Sequence, residues 1–147
     1  MLYIELLTVK ERLFMDNANK IAYLGFIQDV INRMGSNSFL VKGFAITLIS
    51  ALVAALNGKY FFILILTILF WIVDTYYLYQ ERLFRNLYKN VINGIEPDDS
   101  FSMDAQKYKN EVDDFFSVMI SKPLSFFYIS LIIILAIMML ASCSLHT

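Results

Sequence analysis

The chain has 147 residues, is 59% hydrophobic, and combines a net charge of −1 with a mean hydropathy of +0.61. That length argues for one domain, the apolar excess excludes an ordinary soluble domain, and the balanced charge provides no basic field, so no direct nucleic-acid binding is expected. A single cysteine, Cys143, excludes an intramolecular disulfide and offers no zinc spacing.

The first residues, "MLYIELLTVKERLF", contain Glu5 and Glu11 and lack an apolar run long enough for a cleavable signal, so none is expected. Next, "NKIAYLGFIQDVINRM" places Ile21, Leu24, Ile27, Ile31 and Met34 at helical spacing, with Lys20, Gln28, Asn32 and Arg33 opposite. Asn17 is a candidate cap, and Gly35, Ser36 and Asn37 a candidate joint before the membrane. Residues 1–38 thus form an N-terminal segment with an amphipathic helix.

Three stretches then meet the roughly 20-residue requirement for crossing hydrocarbon. The first, residues 39–56, is uncharged except for Lys42 and has small residues at Gly43, Ala45, Ser50, Ala51, Ala54 and Ala55. Small residues let helix backbones approach closely in lipid. Asn57, Gly58 and Lys59 allow only a tight turn, because Asn and Gly tolerate the left-handed backbone that ends a helix. The second stretch, residues 60–79, is uncharged except for Asp74 and is bulky at Phe61, Phe62, Phe70 and Trp71. A small face packed against a large face is the expectation for this 39–79 hairpin.

No breaker follows until Gly94, so the second helix is expected to run on to about residue 93 as a rod of about 50 Å at 1.5 Å per residue. Leu83, Phe84, Leu87, Tyr88 and Val91 would stripe its inner side, and Glu81 and Arg85 stand at the favourable four-residue offset. "GIEPDDSFS" reads as a loop, with Gly94 and Pro97 as breakers and Ser102 as a candidate cap. Residues 103–120 place Tyr108, Val112, Phe115 and Met119 on one side of a further amphipathic helix. The water-side pieces within 1–38 and 80–123 suggest a helical cap under the membrane; the alternative is that one or more lies flat on lipid headgroups. Pro123 turns the chain into the third span, residues 124–145 within a final segment 124–147, which has no charge. The fold class expected is all-α, a helical membrane protein with three transmembrane helices and amphipathic cytoplasmic helices.

Basic residues orient the chain. Lys10, Arg12, Lys20, Arg33 and Lys42 precede or open the first span, and Arg82, Arg85, Lys89, Lys107, Lys109 and Lys122 lie between the second and third. Against them stands only Lys59 in the short hairpin. The amino terminus and the long second connection are therefore expected in the cytoplasm, and the carboxyl terminus on the outer side.

The two charges inside the first two spans invite a pairing argument. Lys42 and Asp74 stand at equal sequence offsets from Gly58, so in an antiparallel hairpin they share a depth about 24 Å from the turn. An unpaired charge at a helix centre is penalised by about 2.5–3.5 kcal/mol, so intramembrane charges pair or face water. Equal depth does not fix azimuth. A Lys42–Asp74 ion pair, separate snorkelling, and a proton or ion pathway all remain open, while Tyr76, Tyr77, Tyr79 and Trp71 read first as an interfacial aromatic belt.

Chemistry is sparse. His146 is the only histidine, and no phosphate loop, Gly-x-Ser-x-Gly or Cys/His cluster occurs. Asp98, Asp99, Asp104, Asp113 and Asp114 read as solvated turns before they read as a cation site. No enzyme activity, cofactor or metal is expected. Three spans enclose too little volume for a transporter, and a pore would need several copies. A face for a partner or for further copies is expected to include Gly43, Ala51, Ala54, Phe84, Tyr88 and Phe115, and a homo-oligomer in the lipid bilayer is the expectation.

The combinations Asn37-Ser38-Phe39, Lys42-Gly43 and Asp74…Tyr76-Tyr77…Glu81-Arg82-Leu83-Phe84, within about residues 20–90, resemble small multi-pass bacterial membrane proteins encoded as accessory or effector components of antiviral defence loci, of the CRISPR-ancillary or SLATT-like kind. The resemblance implies an oligomeric inner-membrane effector that perturbs the envelope or recruits a soluble cytoplasmic defence protein. Some such proteins carry a ribonuclease-like histidine motif, which this chain lacks. The alternatives are a non-conducting structural or regulatory subunit of a larger membrane complex, and a phage holin, whose loops are usually shorter than the second connection here.

Overall fold

The structure, a computed structural model, describes residues 2–55, 60–95 and 101–144, with side chains described from Asn17 to Ser142 within those ranges. Its elements are α1 (Leu2–Ala55), α2 (Tyr60–Ile92), a 3-10 helix (Ala105–Glu111), α3 (Phe115–Met119) and α4 (Lys122–Ser144). No strand occurs among the described residues, and the fold is all-α. Three stretches, Asn17–Ala55, Tyr60–Ile92 and Lys122–Ser142, are long and apolar enough to cross a bilayer. Their uncovered surfaces are themselves apolar: Phe39, Phe44, Phe61, Phe62, Phe126 and Leu140 are all exposed. Water does not stabilise a surface of that kind and hydrocarbon does. The chain is a multi-pass membrane protein.

The chain divides into two compact units, and α1 and α2 contribute residues to both. One comprises Met34–Gln80 and Asp113–Thr147. Here α1 and α2 run antiparallel, because Lys42 meets Asp74 while Ala45 and Ile49 share a cluster with Ile63. Leu135 of α4 completes that cluster, with Leu52, Val53, Tyr60, Phe70 and Leu131 around it. A second cluster joins Val118 of α3 to Leu124 and Tyr128 of α4, backed by Trp71, Leu78 and Tyr79 of α2. Lipid tails are as apolar as these side chains, so close packing and polar contacts hold such helices together rather than exclusion of water.

The small-against-large expectation needs correction. Of the small residues on the first span, Ala45 is the one buried; Gly43, Ser50, Ala51 and Ala54 are exposed, as are Phe61 and Phe62. The inward strip of α1 instead runs Ser38, Lys42, Ala45, Ile49 and Leu52. Phe70 and Trp71 turn toward α4, the third helix that pairwise reasoning left out.

The other unit comprises Met1–Arg33 and Glu81–Val112. Ile27, Val30 and Ile31 of α1 are buried, as are Leu83, Leu87 and Val91 of α2. Ile27 and Ile31 lie on the expected face, with Leu24 and Met34 half-buried beside them, but Tyr23 is buried and Ile21 is 71% exposed, so the inner face is turned slightly from the one expected. Both strips have helical spacing; in so apolar a chain, periodicity alone does not say which one packs. The Tyr23 hydroxyl donates to the Ser102 carbonyl, and its ring meets Phe101 edge-on at 5.5 Å. Phe101 has a left-handed backbone conformation, φ 38°, uncommon for a bulky residue.

Three further local differences have physical causes. α1 passes unbroken through Gly35, Ser36 and Asn37, and Asn17 lies inside it rather than capping it; about 1 kcal/mol of unfavourable glycine propensity is easily outweighed where the backbone must satisfy itself. Residues 103–120 are not one helix. Asp104, not Ser102, caps the 3-10 helix by accepting the Gln106 N–H at 3.0 Å. Val112 is extended and Asp114 opens α3 afresh. Glu111, on which both Asn86 and Asn90 converge through their side-chain amides, ties that 3-10 helix to α2. The turn at Asn57–Lys59 and the acidic loop containing Pro97, Asp98 and Asp99 lie outside the described residues, as do the side chain of Cys143 and all of His146.

Candidate functional site: a carboxylate shared by three helices

Asp74 is completely buried in the middle of α2. One helical turn of α1 presents Ser38 and Lys42 to it, four residues apart and thus on one face. The Lys42 Nζ lies 2.7 Å from Asp74 Oδ2 and donates to Ser38 Oγ at 2.8 Å. The Ser38 hydroxyl in turn donates to Asp74 Oδ1. From α4, the Tyr128 hydroxyl is 3.1 Å from Asp74 Oδ2 and 3.2 Å from the Phe70 carbonyl, its one proton shared between the two acceptors. One carboxylate therefore receives an ammonium and a hydroxyl from α1 and a phenol from α4. Asp74 has no contact with water, whereas the Lys42 side chain is 25% exposed.

Aromatic packing fixes the phenol. Tyr128 stacks on Trp71 at 5.6 Å with an interplanar angle of 9°, and Phe127 meets it edge-on at 4.9 Å. The Trp71 indole N–H donates to the Met119 carbonyl at 3.0 Å, which satisfies a backbone acceptor at the end of α3. Thr75, also fully buried, donates to the Trp71 carbonyl at 2.7 Å, and Thr67 donates to Ile63 at 2.8 Å. Among the described residues no buried side-chain nitrogen or oxygen lacks a partner.

The structure brings Lys42 and Asp74 into contact and adds two residues that sequence reasoning did not assign to them, Ser38 and Tyr128. Both left a signal. Ser38 stands one turn before Lys42, and Tyr128 lies about as far inside the water-side end of its span as Asp74 does in its own. The candidate association residues are divided between the two units. Gly43, Ala51 and Ala54 are exposed on α1, Phe84 and Tyr88 are half-buried in the other unit, and Phe115 packs edge-on against Tyr79 at 6.1 Å.

As chemistry, this is a charge-satisfaction network. Both Asp74 oxygens have partners and the side chain is fully buried, so the carboxylate is not open to a substrate from outside, and no group of three or more His, Cys, Asp or Glu side chains that could hold a metal occurs among the described residues. Its evident effect is to tie α1, α2 and α4 together at one depth, where polar contacts have no water to replace them. No protein-family model matches the sequence, and neither the curated proteins nor the solved structures yield a match.

Proposed function

We propose that this chain is a bacterial inner-membrane accessory or effector protein, with its amino terminus in the cytoplasm and its carboxyl terminus outside, which acts as an oligomer in antiviral defence. The observation that carries the reading is the Asp74 network. Among the described residues it satisfies the buried polar groups of α1, α2 and α4 internally, which supports a chain that does not conduct through its own interior. Activity must then arise at outer surfaces: between copies in the bilayer, or at the Met1–Arg33 and Glu81–Val112 unit, where a soluble cytoplasmic partner would bind. The orientation rests on the basic residues that flank the spans, and the link to defence on the resemblance over residues 20–90.

Two measurements test this reading. Induced expression with a membrane-potential dye, in cells with and without phage challenge, should show depolarisation on challenge. The purified protein should be larger than one copy in detergent. Unchanged potential in every condition leaves the second reading, a non-conducting structural or regulatory subunit, which the internal satisfaction of these groups also favours. A strictly monomeric protein that neither depolarises cells nor retains a soluble partner overturns the effector reading.

A further inference from the structure

Helix α3 and the residue that caps its end leave two large apolar side chains uncovered, with Phe116 73% and Ile120 71% exposed. Looseness of the helix is not the cause, because its other side is fully engaged. Val118 is buried against Leu124 and Tyr128, Phe115 lies edge-on to Tyr79, and the Met119 carbonyl receives the Trp71 indole N–H. These contacts fix α3 about its own axis and so determine that Phe116 and Ile120 point away from the protein.

Two observations say what covers them. Only Ile120 and Ser121 separate α3 from α4, and the exposed apolar surface continues directly onto that span through Phe126, 83% exposed, and then Ile129, Ile133 and Ile137. In addition, α3 is hydrogen-bonded to Trp71, a residue well inside the second candidate span. The chemistry around the two side chains is graded as a membrane interface requires. Asp113 and Asp114 precede them, exposed, and exposed Lys122 follows them at the start of α4. Amphipathic segments of this kind bury apolar side chains by about 5–10 Å at the headgroup–acyl boundary, with basic residues at the phosphates.

We propose that α3 is a membrane-interface anchor whose Phe116 and Ile120 insert into the headgroup–acyl boundary of the bilayer. The proposal rests on α4 being a membrane span and adds a second, in-plane attachment. It also gives Lys122 the level of the lipid phosphates and keeps the two aspartates in water.

The test uses the full chain with Cys143→Ser, spin-labelled singly at Asp113→Cys, Phe116→Cys, Ile120→Cys or Ile129→Cys in phosphatidylcholine–phosphatidylglycerol vesicles. Power saturation compares collision with oxygen, which concentrates in lipid, and with a water-soluble nickel chelate. Emission from Trp71, the only tryptophan, checks that each variant keeps the α3 contact. Labels at 116 and 120 should favour oxygen at a depth shallower than 129, while the label at 113 favours the chelate. Chelate-favoured collision at 116 and 120 places α3 in water and overturns the inference. Protection from both reagents means that protein covers the patch, and overturns it too. A chelate-accessible label at 129 removes the membrane span itself, so failure of the underlying reading is distinguished from failure of this one.

Discussion

Ser38, Lys42, Asp74 and Tyr128 divide the work of one carboxylate unequally, and substitutions should reveal the division. Lys42 keeps a quarter of its side chain exposed while Asp74 has none. Removing Asp74 leaves an ammonium that can extend toward the interface on its flexible stem; removing Lys42 leaves a charge with no route to water. Asp74→Asn is therefore expected to destabilise by about 2 kcal/mol and Lys42→Met by more, about 3 kcal/mol, from the usual cost of orphaning a buried charge. Thermal or denaturant unfolding in bicelles measures both, with the loop substitution Asp98→Asn as the reference expected to change little. Combining Lys42→Asp with Asp74→Lys should recover part of either single loss, and no recovery would show that the two groups are uncoupled. Tyr128→Phe removes a hydroxyl that serves two acceptors but keeps the stack on Trp71. Its expected cost is smaller, about 0.6–1.7 kcal/mol, the range for hydrogen bonds between membrane helices.

At the scale of elements, the helix ends are where local rules act most visibly. α2 stops in a Schellman motif: the Ile95 N–H bonds the Asn90 carbonyl at 3.0 Å, the Gly94 N–H bonds Val91 at 3.2 Å, and Gly94 sits at φ +69°. A Cβ there would meet open space, so Gly94→Ala isolates the backbone term, an expected loss of about 1 kcal/mol. Hydrogen exchange at the amides of residues 90–95 is the readout. α3 begins at Asp114, whose carboxylate accepts the Ser117 hydroxyl and is held by that bond below its ordinary value of 3.8. A depressed carboxylate stabilises the fold above its unfolded value and loses that contribution as pH falls through the folded one. The order of α3 should thus be pH-independent near neutrality and weaken only in acid below 3.8. Carboxyl-carbon titration by NMR should place Asp114 below 3.8 and move it back up in Ser117→Ala. α4 needs no such device, since Pro123 occupies its first turn, where a missing N–H is not needed.

For the whole molecule, topology and association carry the predictions. Cysteines placed at Asn57 and at Asp98 should react with impermeant maleimide from opposite sides of the membrane, and the proposed orientation expects Asn57 to react from outside. Reaction from one side would undo the orientation drawn from the basic residues. Gly43 supplies a test of association, because a side chain added there meets nothing within 4 Å. Gly43→Leu should leave the single copy as stable as before, or slightly more so through helix propensity. If copies meet through Gly43, Ala51 and Ala54, the same substitution should lower the oligomer's size in detergent, and an unaltered oligomer would exclude that face.

The three spans, their order and the unbroken run of α2 past the membrane could be read from the residues, because twenty apolar positions in hydrocarbon leave the backbone no alternative to a helix. The level shared by Lys42 and Asp74 was legible for the same reason, since helical rise converts sequence offset into depth. Azimuth was not. Why Ala45 packs while Gly43 stays open depends on where α2 and α4 lie around α1, and Tyr23 is buried, rather than Ile21, where Phe101 and Ser102 meet it. In a chain apolar on both its packed and its lipid-facing sides, hydrophobic periodicity cannot separate the two. Ser38 and Tyr128 joined the site for a related reason: a hydroxyl is unremarkable along the chain and becomes a partner of Asp74 only when packing turns it there, Ser38 from α1 and Tyr128 from the third helix, α4, at 3.1 Å.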